Sequence, residues 1–246
     1  MSKFDTKEKH DFDLEVVLDA FRRCHADDNT LLMSEYLRAY TELCRFFKLM
    51  GTLFGFVARD IEDKVQILSA HCSSDVGDKY NTIQSMIAFE VENDITQRKR
   101  PLASGSRTLL RLHRALEFIM AFMDRIRLSD ENEKASSIAS EVYTQTLAKH
   151  HPWIVQKISL VAMYMLPSKK TFIDVMCKHD YANVMTMLSD VICEGKPIYD
   201  ITQELYEKNG LLDLPFFFSS SWQPEMFHYD AVSIVIITTV STHLQL

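Results

Sequence analysis

Two arginines, Arg107 and Arg111, stand one helical turn apart in a segment whose other residues are mostly apolar. Like charges at this spacing on a helix repel each other by roughly 0.2–0.5 kcal/mol. A guanidinium group also presents a planar fork of donors that suits phosphate oxygens. The pair therefore predicts that an anionic group binds between the two side chains.

A helical wheel at about 100° per residue divides this arginine helix into three zones. One zone is a core face made of Leu109, Leu112, Leu116, Ile119 and Met123. A second zone, expected on the solvent side, contains His113, Glu117 and Asp124. The two arginines share a third stripe with Ala115, Phe118 and Phe122. A cationic end that opens onto an apolar wall suits an amphiphile with an anionic head. Arg114 is expected nearer to solvent, where it would steer the ligand at most.

A second charged pair, Asp60 and Lys64, falls on the apolar side of another predicted helix, opposite its polar face. An exposed ion pair contributes well under about 1 kcal/mol and would lie on the polar face. Buried charges cost several kcal/mol each unless they are paired and hydrogen-bonded. The position therefore predicts an internal polar ligand group, and the alternative is a buried ion pair satisfied by other helices.

The segment His150-His151-Pro152-Trp153 supplies the third group of polar and aromatic residues. Proline is favourable at the first helical position, which places His151 at the cap and Trp153 in an exposed first turn. Two adjacent histidines also have a metal-binding interpretation, but they lack carboxylate or thiolate partners at suitable spacing, so we expect no metal. Trp153 is either a core residue or a membrane-interface anchor.

Composition excludes several classes of protein. The chain has 246 residues, 47% of them hydrophobic, and a net charge of -7, which argues against a surface that tracks nucleic acid. Five irregularly spaced cysteines fit reduced thiols in the cytosol. The charged N-terminus lacks the apolar core of a signal peptide, and no stretch reaches the roughly 18 apolar residues of a membrane span.

Helices are expected to position these residues, because Gly and Pro number only 6 each and strict apolar/polar alternation is rare. The pattern predicts an all-α chain of eight or nine helices. It includes a long helix from Ser34 to His71, bent near Gly51 or Gly55, and separate helices from Tyr181 to Cys193 and from Pro197 to Asn209. The arginine helix is expected from Ser104 to Arg127.

The residues after Pro215 follow a different pattern, with the β-branched run Ser233-Ile-Val-Ile-Ile-Thr-Thr-Val240 and no helical periodicity. We expect residues 1–215 to form the functional domain, with residues 1–10 flexible. Residues 216–246 are then an atypical C-terminal extension outside that domain. The alternative is that the extension is an interfacial membrane anchor.

Three motifs in this order resemble the glycolipid transfer protein family, and within it the branch that transfers ceramide 1-phosphate. They are Asp60-x-x-x-Lys64, Ser104-Gly-Ser-Arg107-Thr-Leu-Leu-Arg111 and His151-Pro-Trp153-Ile-Val-Gln-Lys157. In the glycolipid carriers of this family, tryptophan stands at the position of Arg111, asparagine at that of Lys64 and lysine at that of Ile67. Because this chain replaces sugar-binding groups with two cations, the resemblance implies a phosphate headgroup.

The resemblance implies a two-layer helical sandwich of about eight helices that encloses the lipid chains. It implies that Lys64, Arg107 and Arg111 bind the phosphate. Asp60 would accept a hydrogen bond from the ceramide amide N–H and His151 would donate one to the amide carbonyl. Candidate pocket residues are Phe47, Phe56, Phe118, Phe122, Ile154 and Ile158.

The expected function is transfer of ceramide 1-phosphate between membranes by a monomer without cofactor, metal or nucleic acid. The protein would be cytosolic and would touch intracellular membranes peripherally through Trp153. An enzyme is not expected, since the sequence has no G-x-S-x-G, P-loop or zinc pattern. The alternatives are a carrier or sensor of glycolipids or other anionic lipids, and a non-catalytic helical interaction module.

Overall fold

The computed structural model describes residues 12–50, 54–130, 133–176 and 181–215. Within those ranges the chain forms nine α-helices and no β-strand, which confirms the predicted all-α class. The helices are α1 Leu14–Cys24, α2 Met33–Leu49, α3 Gly55–Cys72, α4 Ile83–Glu92, α5 Gly105–Leu128, α6 Ala135–Gln145, α7 Trp153–Tyr164, α8 Lys169–Met176 and α9 Tyr181–Lys208. Two short 3-10 helices cover Gly77–Tyr80 and Ala148–His150.

Side-chain caps define the start of two helices, α1 and α4. The Asp13 carboxylate accepts a hydrogen bond from the backbone N–H of Glu15 at 3.0 Å and so caps α1. At α4, Thr82 and Ser85 form a reciprocal capping box. These bonds satisfy donors that the first helical turn leaves without a partner, so α1 and α4 each begin at a defined residue.

The single long helix expected from Ser34 to His71 is wrong, because the chain forms two helices there. Helix α2 ends at Leu49, where the N–H of Met50 bonds to the carbonyl of Phe47 at 3.2 Å. Helix α3 begins at Gly55 and packs against α2. The Phe47 and Phe54 rings stack with their centroids 6.5 Å apart.

The prediction of two separate helices, from Tyr181 to Cys193 and from Pro197 to Asn209, is also wrong. One 28-residue helix, α9, spans this segment. Pro197 lies inside α9 although it lacks the N–H of a regular helical bond. Leu188 and Val191 before the proline, and Ile198 after it, are all buried. Packing on both sides of Pro197 therefore maintains a helix that the local sequence would interrupt.

Helix α5 is central to the architecture, since it packs against α3, α6 and α9. Its predicted core face is buried, with Leu109, Leu112 and Leu116 at most 1% exposed. An apolar cavity, named here the central cavity, lies between the α2–α3 pair and the α6–α7 pair, and α5 contributes part of its wall. Side chains from six helices, α2, α3, α5, α6, α7 and α8, line this cavity.

None of the helices in the described ranges combines the length and apolar character that crossing a bilayer requires. Among the same residues, no group of three or more His, Cys, Asp and Glu side chains could hold a metal ion. The expectations for residues 1–10 and 216–246 concern segments outside the described residues.

Candidate functional site

The N-terminus of α5 is fixed by a buried carboxylate that sequence reasoning missed. Glu90 of α4 accepts hydrogen bonds from the backbone N–H groups of Gly105 at 2.6 Å and Ser106 at 2.8 Å. The hydroxyl of Tyr80 donates to the same carboxylate at 2.9 Å. A Cβ at Gly105 would lie 2.4 Å from the Met86 sulfur, so any larger residue would require the buried Met86 side chain to move. Glu90 therefore sets the position of the helix that carries the arginines.

Arg107 lies behind the central cavity and does not form part of its wall. The side chain is buried, with 5% of the residue exposed, and burial lowers the pKa of its guanidinium group. Its Nη1 donates to the Gln97 carbonyl at 3.4 Å and its Nη2 to the Pro215 carbonyl at 3.2 Å. Arg107 is therefore held by two backbone oxygens from distant segments.

Arg111 lies on the cavity wall one turn further along α5. Its Nη1 donates to the Arg107 carbonyl at 2.8 Å and its Nη2 to the Pro215 carbonyl at 2.6 Å. Burial lowers the pKa of Arg111 to about 10, and the positive charges of Arg107 and Arg114 contribute to the same shift. The repulsion inferred from the sequence is therefore present, and the Pro215 carbonyl lies between the two guanidinium groups.

The predicted position of Arg114 is wrong. The sequence pattern placed this side chain toward solvent, with a steering role at most. The structure places this half-buried side chain on the cavity wall, where burial lowers the pKa of its guanidinium group. Its Nη2 donates to the carbonyl of Leu212. Residues 210–215, the C-terminal strap, thus supply carbonyl acceptors to three arginines of α5 and are themselves seated by the buried side chains of Leu211 and Leu214.

Asp60 and Lys64 form an ion pair one turn apart on α3, and both residues line the cavity. The Lys64 ammonium also donates to the Asp60 carbonyl at 3.2 Å. The lysine side chain is 12% exposed and that of Asp60 is 42% exposed. The expectation of a fully buried pair is therefore wrong for the aspartate, whose carboxylate lies at the open end of the cavity.

His151 lies on the facing wall, where its Nδ1 is 2.8 Å from the hydroxyl of Tyr143. Burial lowers the pKa of His151 to about 4, which keeps the imidazole neutral at pH 7. Helix α7 begins one residue later than expected, because Pro152 is its N-cap rather than its first helical residue. Its φ of -57° and ψ of 152° place it outside the helix, and His151 precedes the cap.

Trp153 begins α7 with 68% of its surface exposed, as the sequence predicted. The Lys157 ammonium lies 5.8 Å from the centroid of the indole ring. The next residue, Ile154, is 52% exposed and does not line the cavity. Val155 and Ser159 face the cavity in place of the expected Ile154 and Ile158, because the wall-facing stripe of α7 is rotated by one residue.

The remaining wall of the cavity is apolar and rich in phenylalanine. The rings of Phe118 and Phe122 stack with centroids 5.9 Å apart and an interplanar angle of 2°. Phe47 and Phe56 also line the cavity, as predicted. The Phe172 ring lies 5.2 Å from the rings of Phe122 and Phe46, so the aromatic wall continues beyond Phe122, three turns along α5 from Arg111. The cavity therefore has a polar end and a long aromatic interior.

His113 is not on the solvent side of α5 but buried, with 1% of the residue exposed. Its ring stacks on Tyr199 at a centroid distance of 4.4 Å, and its Nε2 is 2.8 Å from the Gln203 side-chain oxygen. Burial lowers the pKa of His113 to about 4. The interface with α9 covers this side of α5, which the pattern of α5 alone could not indicate.

Comparison with known proteins agrees with this helical fold. The family model described as Glycolipid transfer protein (GLTP) matches residues 31–178. The ceramide-1-phosphate transfer protein of Danio rerio is 40% identical over 207 residues, which cover 83% of this chain and 98% of that protein. The chain belongs to the glycolipid transfer protein family, which confirms the resemblance found in the sequence.

Two solved structures are also similar over most of the chain. The apo form of mouse ceramide-1-phosphate transfer protein aligns with a TM-score of 0.78 and 38% identity, covering 83% of this chain and 100% of that one. The human ceramide-1-phosphate transfer protein in complex with 12:0 ceramide 1-phosphate aligns with a TM-score of 0.78 and 32% identity, with the same coverage.

Proposed function

We propose that this protein transfers ceramide 1-phosphate between membranes. The observation that carries the proposal is the placement of Lys64, Arg111 and Arg114 at one end of a cavity whose interior is aromatic and aliphatic. Cations at one end and apolar side chains along the rest match an anionic headgroup followed by hydrocarbon chains. The relatives named above, and the ligand of the human complex, support the same lipid.

In this proposal Lys64, Arg107 and Arg111 bind the phosphate. Arg111 and Lys64 reach the headgroup from the walls formed by α5 and α3. Arg107 donates to the same Pro215 carbonyl as Arg111, so the two guanidinium groups lie side by side and both charges act on a phosphate at this end. The structure adds Arg114 to the proposed set, because it lines the same end of the cavity.

Asp60 and His151 are proposed to bind the amide of the ceramide. An ionised carboxylate can only accept hydrogen bonds, which suits the amide N–H, and a neutral histidine can donate one to the amide carbonyl. The two residues line the same cavity from α3 and from the segment before α7. A glycerophospholipid such as phosphatidic acid has an ester without an N–H, so it would leave Asp60 without this donor.

Apolar contacts inside the cavity offset the free energy that a lipid chain loses when it leaves the bilayer, so transfer requires no chemical step. Removing an acyl chain from a bilayer forfeits roughly 0.8 kcal/mol per methylene, or on the order of 10 kcal/mol for a long chain. The aromatic interior replaces that apolar environment while the lipid is in transit. No nucleotide, cofactor or metal is needed, and we propose that the protein is a carrier rather than an enzyme.

We propose that the monomer works in the cytosol and contacts membranes transiently through Trp153. The exposed indole at the start of α7 and the nearby Lys157 ammonium would lie among lipid headgroups. We also propose that residues 1–215 form the transfer domain and that residues 216–246 are dispensable for it. A chain truncated after Pro215 is expected to transfer lipid at the rate of the full chain, and a large loss of activity would place the extension in the working protein.

The proposed function is tested by transfer between vesicles with three labelled lipids: ceramide 1-phosphate, glucosylceramide and phosphatidic acid. We expect the full chain to move ceramide 1-phosphate faster than either competitor. Equal rates for phosphatidic acid would refute the amide contacts, and preference for glucosylceramide would refute the phosphate site. A helical interaction module would move none of the three.

A further inference from the structure

A buried tyrosine lines the central cavity beside His151 and contacts that ring, and the site described so far gives it no role of its own. Tyr143 of α6 is 1% exposed, and its hydroxyl lies 2.8 Å from Nδ1 of His151. The Phe118 ring packs edge-on against the phenol at a centroid distance of 6.3 Å. Tyr143 is therefore held in place by the core while its hydroxyl is directed at the histidine.

The backbone of His151 is held as firmly as the phenol. Its N–H donates to the Ala148 carbonyl at 3.0 Å, and its carbonyl accepts from the Gln156 amide at 2.9 Å. These bonds leave rotation of the side chain as the main freedom of the residue. The contact of the ring nitrogen with Tyr143 restricts that rotation as well, so the position of the ring depends on the tyrosine hydroxyl.

The direction of the hydrogen bond between the two rings follows from their chemistry. A phenol is a good donor, and the unprotonated nitrogen of a neutral imidazole is a good acceptor. Burial raises the pKa of Tyr143, which keeps the phenol protonated, while a hydrogen bond with Ser159 acts in the opposite direction. The Tyr143 hydroxyl therefore donates to Nδ1 of His151.

We propose that Tyr143 is a positioning residue that fixes neutral His151 in the tautomer with its hydrogen on Nε2. When Nδ1 accepts from the phenol, Nε2 must carry the hydrogen, and His151 becomes a donor toward the cavity. A donor is what the carbonyl of the lipid amide requires. The value of this tautomer for lipid binding rests on the proposed function, whereas the tautomer itself is a property of the protein without lipid.

Nitrogen-15 NMR of the full chain, labelled at histidine and free of lipid, tests the tautomer directly at pH 7. We expect the Nδ1 signal of His151 to be of the unprotonated, pyridine type and the Nε2 signal to be of the protonated, pyrrole type. The reverse assignment would overturn the proposal whatever lipid the protein carries. Failure to transfer ceramide 1-phosphate would instead refute the proposed function and leave the NMR result standing.

A double-mutant cycle tests whether Tyr143 acts through His151. Tyr143→Phe removes one neutral hydrogen bond and is expected to lower ceramide 1-phosphate transfer about fivefold. In the background of His151→Ala, the same substitution is expected to have no further effect. An equal loss in both backgrounds would mean that Tyr143 acts independently of His151, through the core or through its own place on the cavity wall, and would overturn the proposal.

Tyr36→Phe is the matched control, because it deletes the same atom from another buried tyrosine. Tyr36 of α2 is 0% exposed, does not line the central cavity, and its hydroxyl has no hydrogen-bond partner among the described residues. The control is expected to transfer lipid at the rate of the unmodified chain. If Tyr36→Phe lowered transfer as much as Tyr143→Phe, the effect would not be specific to the histidine contact and the proposal would fail.

Discussion

Replacing Arg111 by leucine is expected to weaken phosphate binding at least tenfold with little effect on folding. The guanidinium group donates to the Arg107 carbonyl at 2.8 Å and to the Pro215 carbonyl at 2.6 Å. Loss of these bonds costs about 1 kcal/mol each in the free energy of unfolding. The substitution also removes a partly buried charge whose pKa is lowered to about 10 by burial and by two neighbouring cations. The two effects oppose each other, so we expect stability to change by less than about 1 kcal/mol.

The loss in lipid binding is expected to be much larger. A hydrogen bond to a charged group contributes about 1.5–3 kcal/mol, which corresponds to a factor of roughly 10 to 150 in affinity. Arg111 lies on the cavity wall beside Lys64 and Arg114, so its loss removes one of the cations at the polar end. Transfer of ceramide 1-phosphate is therefore expected to fall at least tenfold, while uptake of neutral ceramide is unchanged.

The assay is transfer of labelled ceramide 1-phosphate and labelled ceramide between vesicles, with urea denaturation of the same samples. Arg125→Leu is the matched control, because it makes the same change on the same helix at a side chain that is 49% exposed and ion-paired with Glu141. Normal transfer of the phosphate lipid by the folded Arg111→Leu protein would refute the proposed headgroup site. An equal loss for both lipids would show that Arg111 supports the cavity rather than the phosphate.

Three further predictions concern stability and membrane contact. Glu90→Gln places an amide NH₂ against a backbone N–H, so we expect the free energy of unfolding to fall by about 2–3 kcal/mol. Urea denaturation measures this loss, and the control Glu92→Gln, at an exposed position of the same helix, is expected to change stability little. Because burial lowers the pKa of His113 from 6.5 to about 4, protons bind only the unfolded state between these values, so stability falls as pH decreases. His113→Gln should remove up to about 3 kcal/mol of that decrease between pH 7 and pH 4 in urea titrations, and an unchanged pH profile would contradict the assignment. Trp153→Ala should slow vesicle transfer severalfold at unchanged thermal stability, since the indole is 68% exposed; unchanged transfer would exclude the membrane contact.

Patterns within one helix were predictable from the sequence, since they depend on spacing alone. The core face of α5 and the stripe of Arg111, Phe118 and Phe122 follow from the helical period. The exposed tryptophan at the start of α7 follows from the position of Pro152, although the cap itself lies one residue later than expected. Charged residues on an apolar stripe were the signal that located the polar end of the cavity.

Contacts between distant segments were not predictable in the same way. The carbonyls of the C-terminal strap lie about 100 residues from the arginines that they hold, and backbone acceptors have no sequence signature. His113 is buried because α9 covers it, and Pro197 remains helical because both halves of α9 pack on the core. Glu90 had one signal, a carboxylate among the apolar residues of α4, but its partners belong to the start of α5.

The most direct test of the central claim is the identity of the lipid that the protein selects from a mixture. The full chain is incubated with vesicles that contain equal amounts of ceramide 1-phosphate, phosphatidic acid, ceramide and glucosylceramide, then separated from them and analysed by mass spectrometry. The phosphate and amide contacts predict that ceramide 1-phosphate is the main bound lipid, at about one molecule per chain. Recovery of phosphatidic acid or glucosylceramide in equal or greater amount would contradict the account.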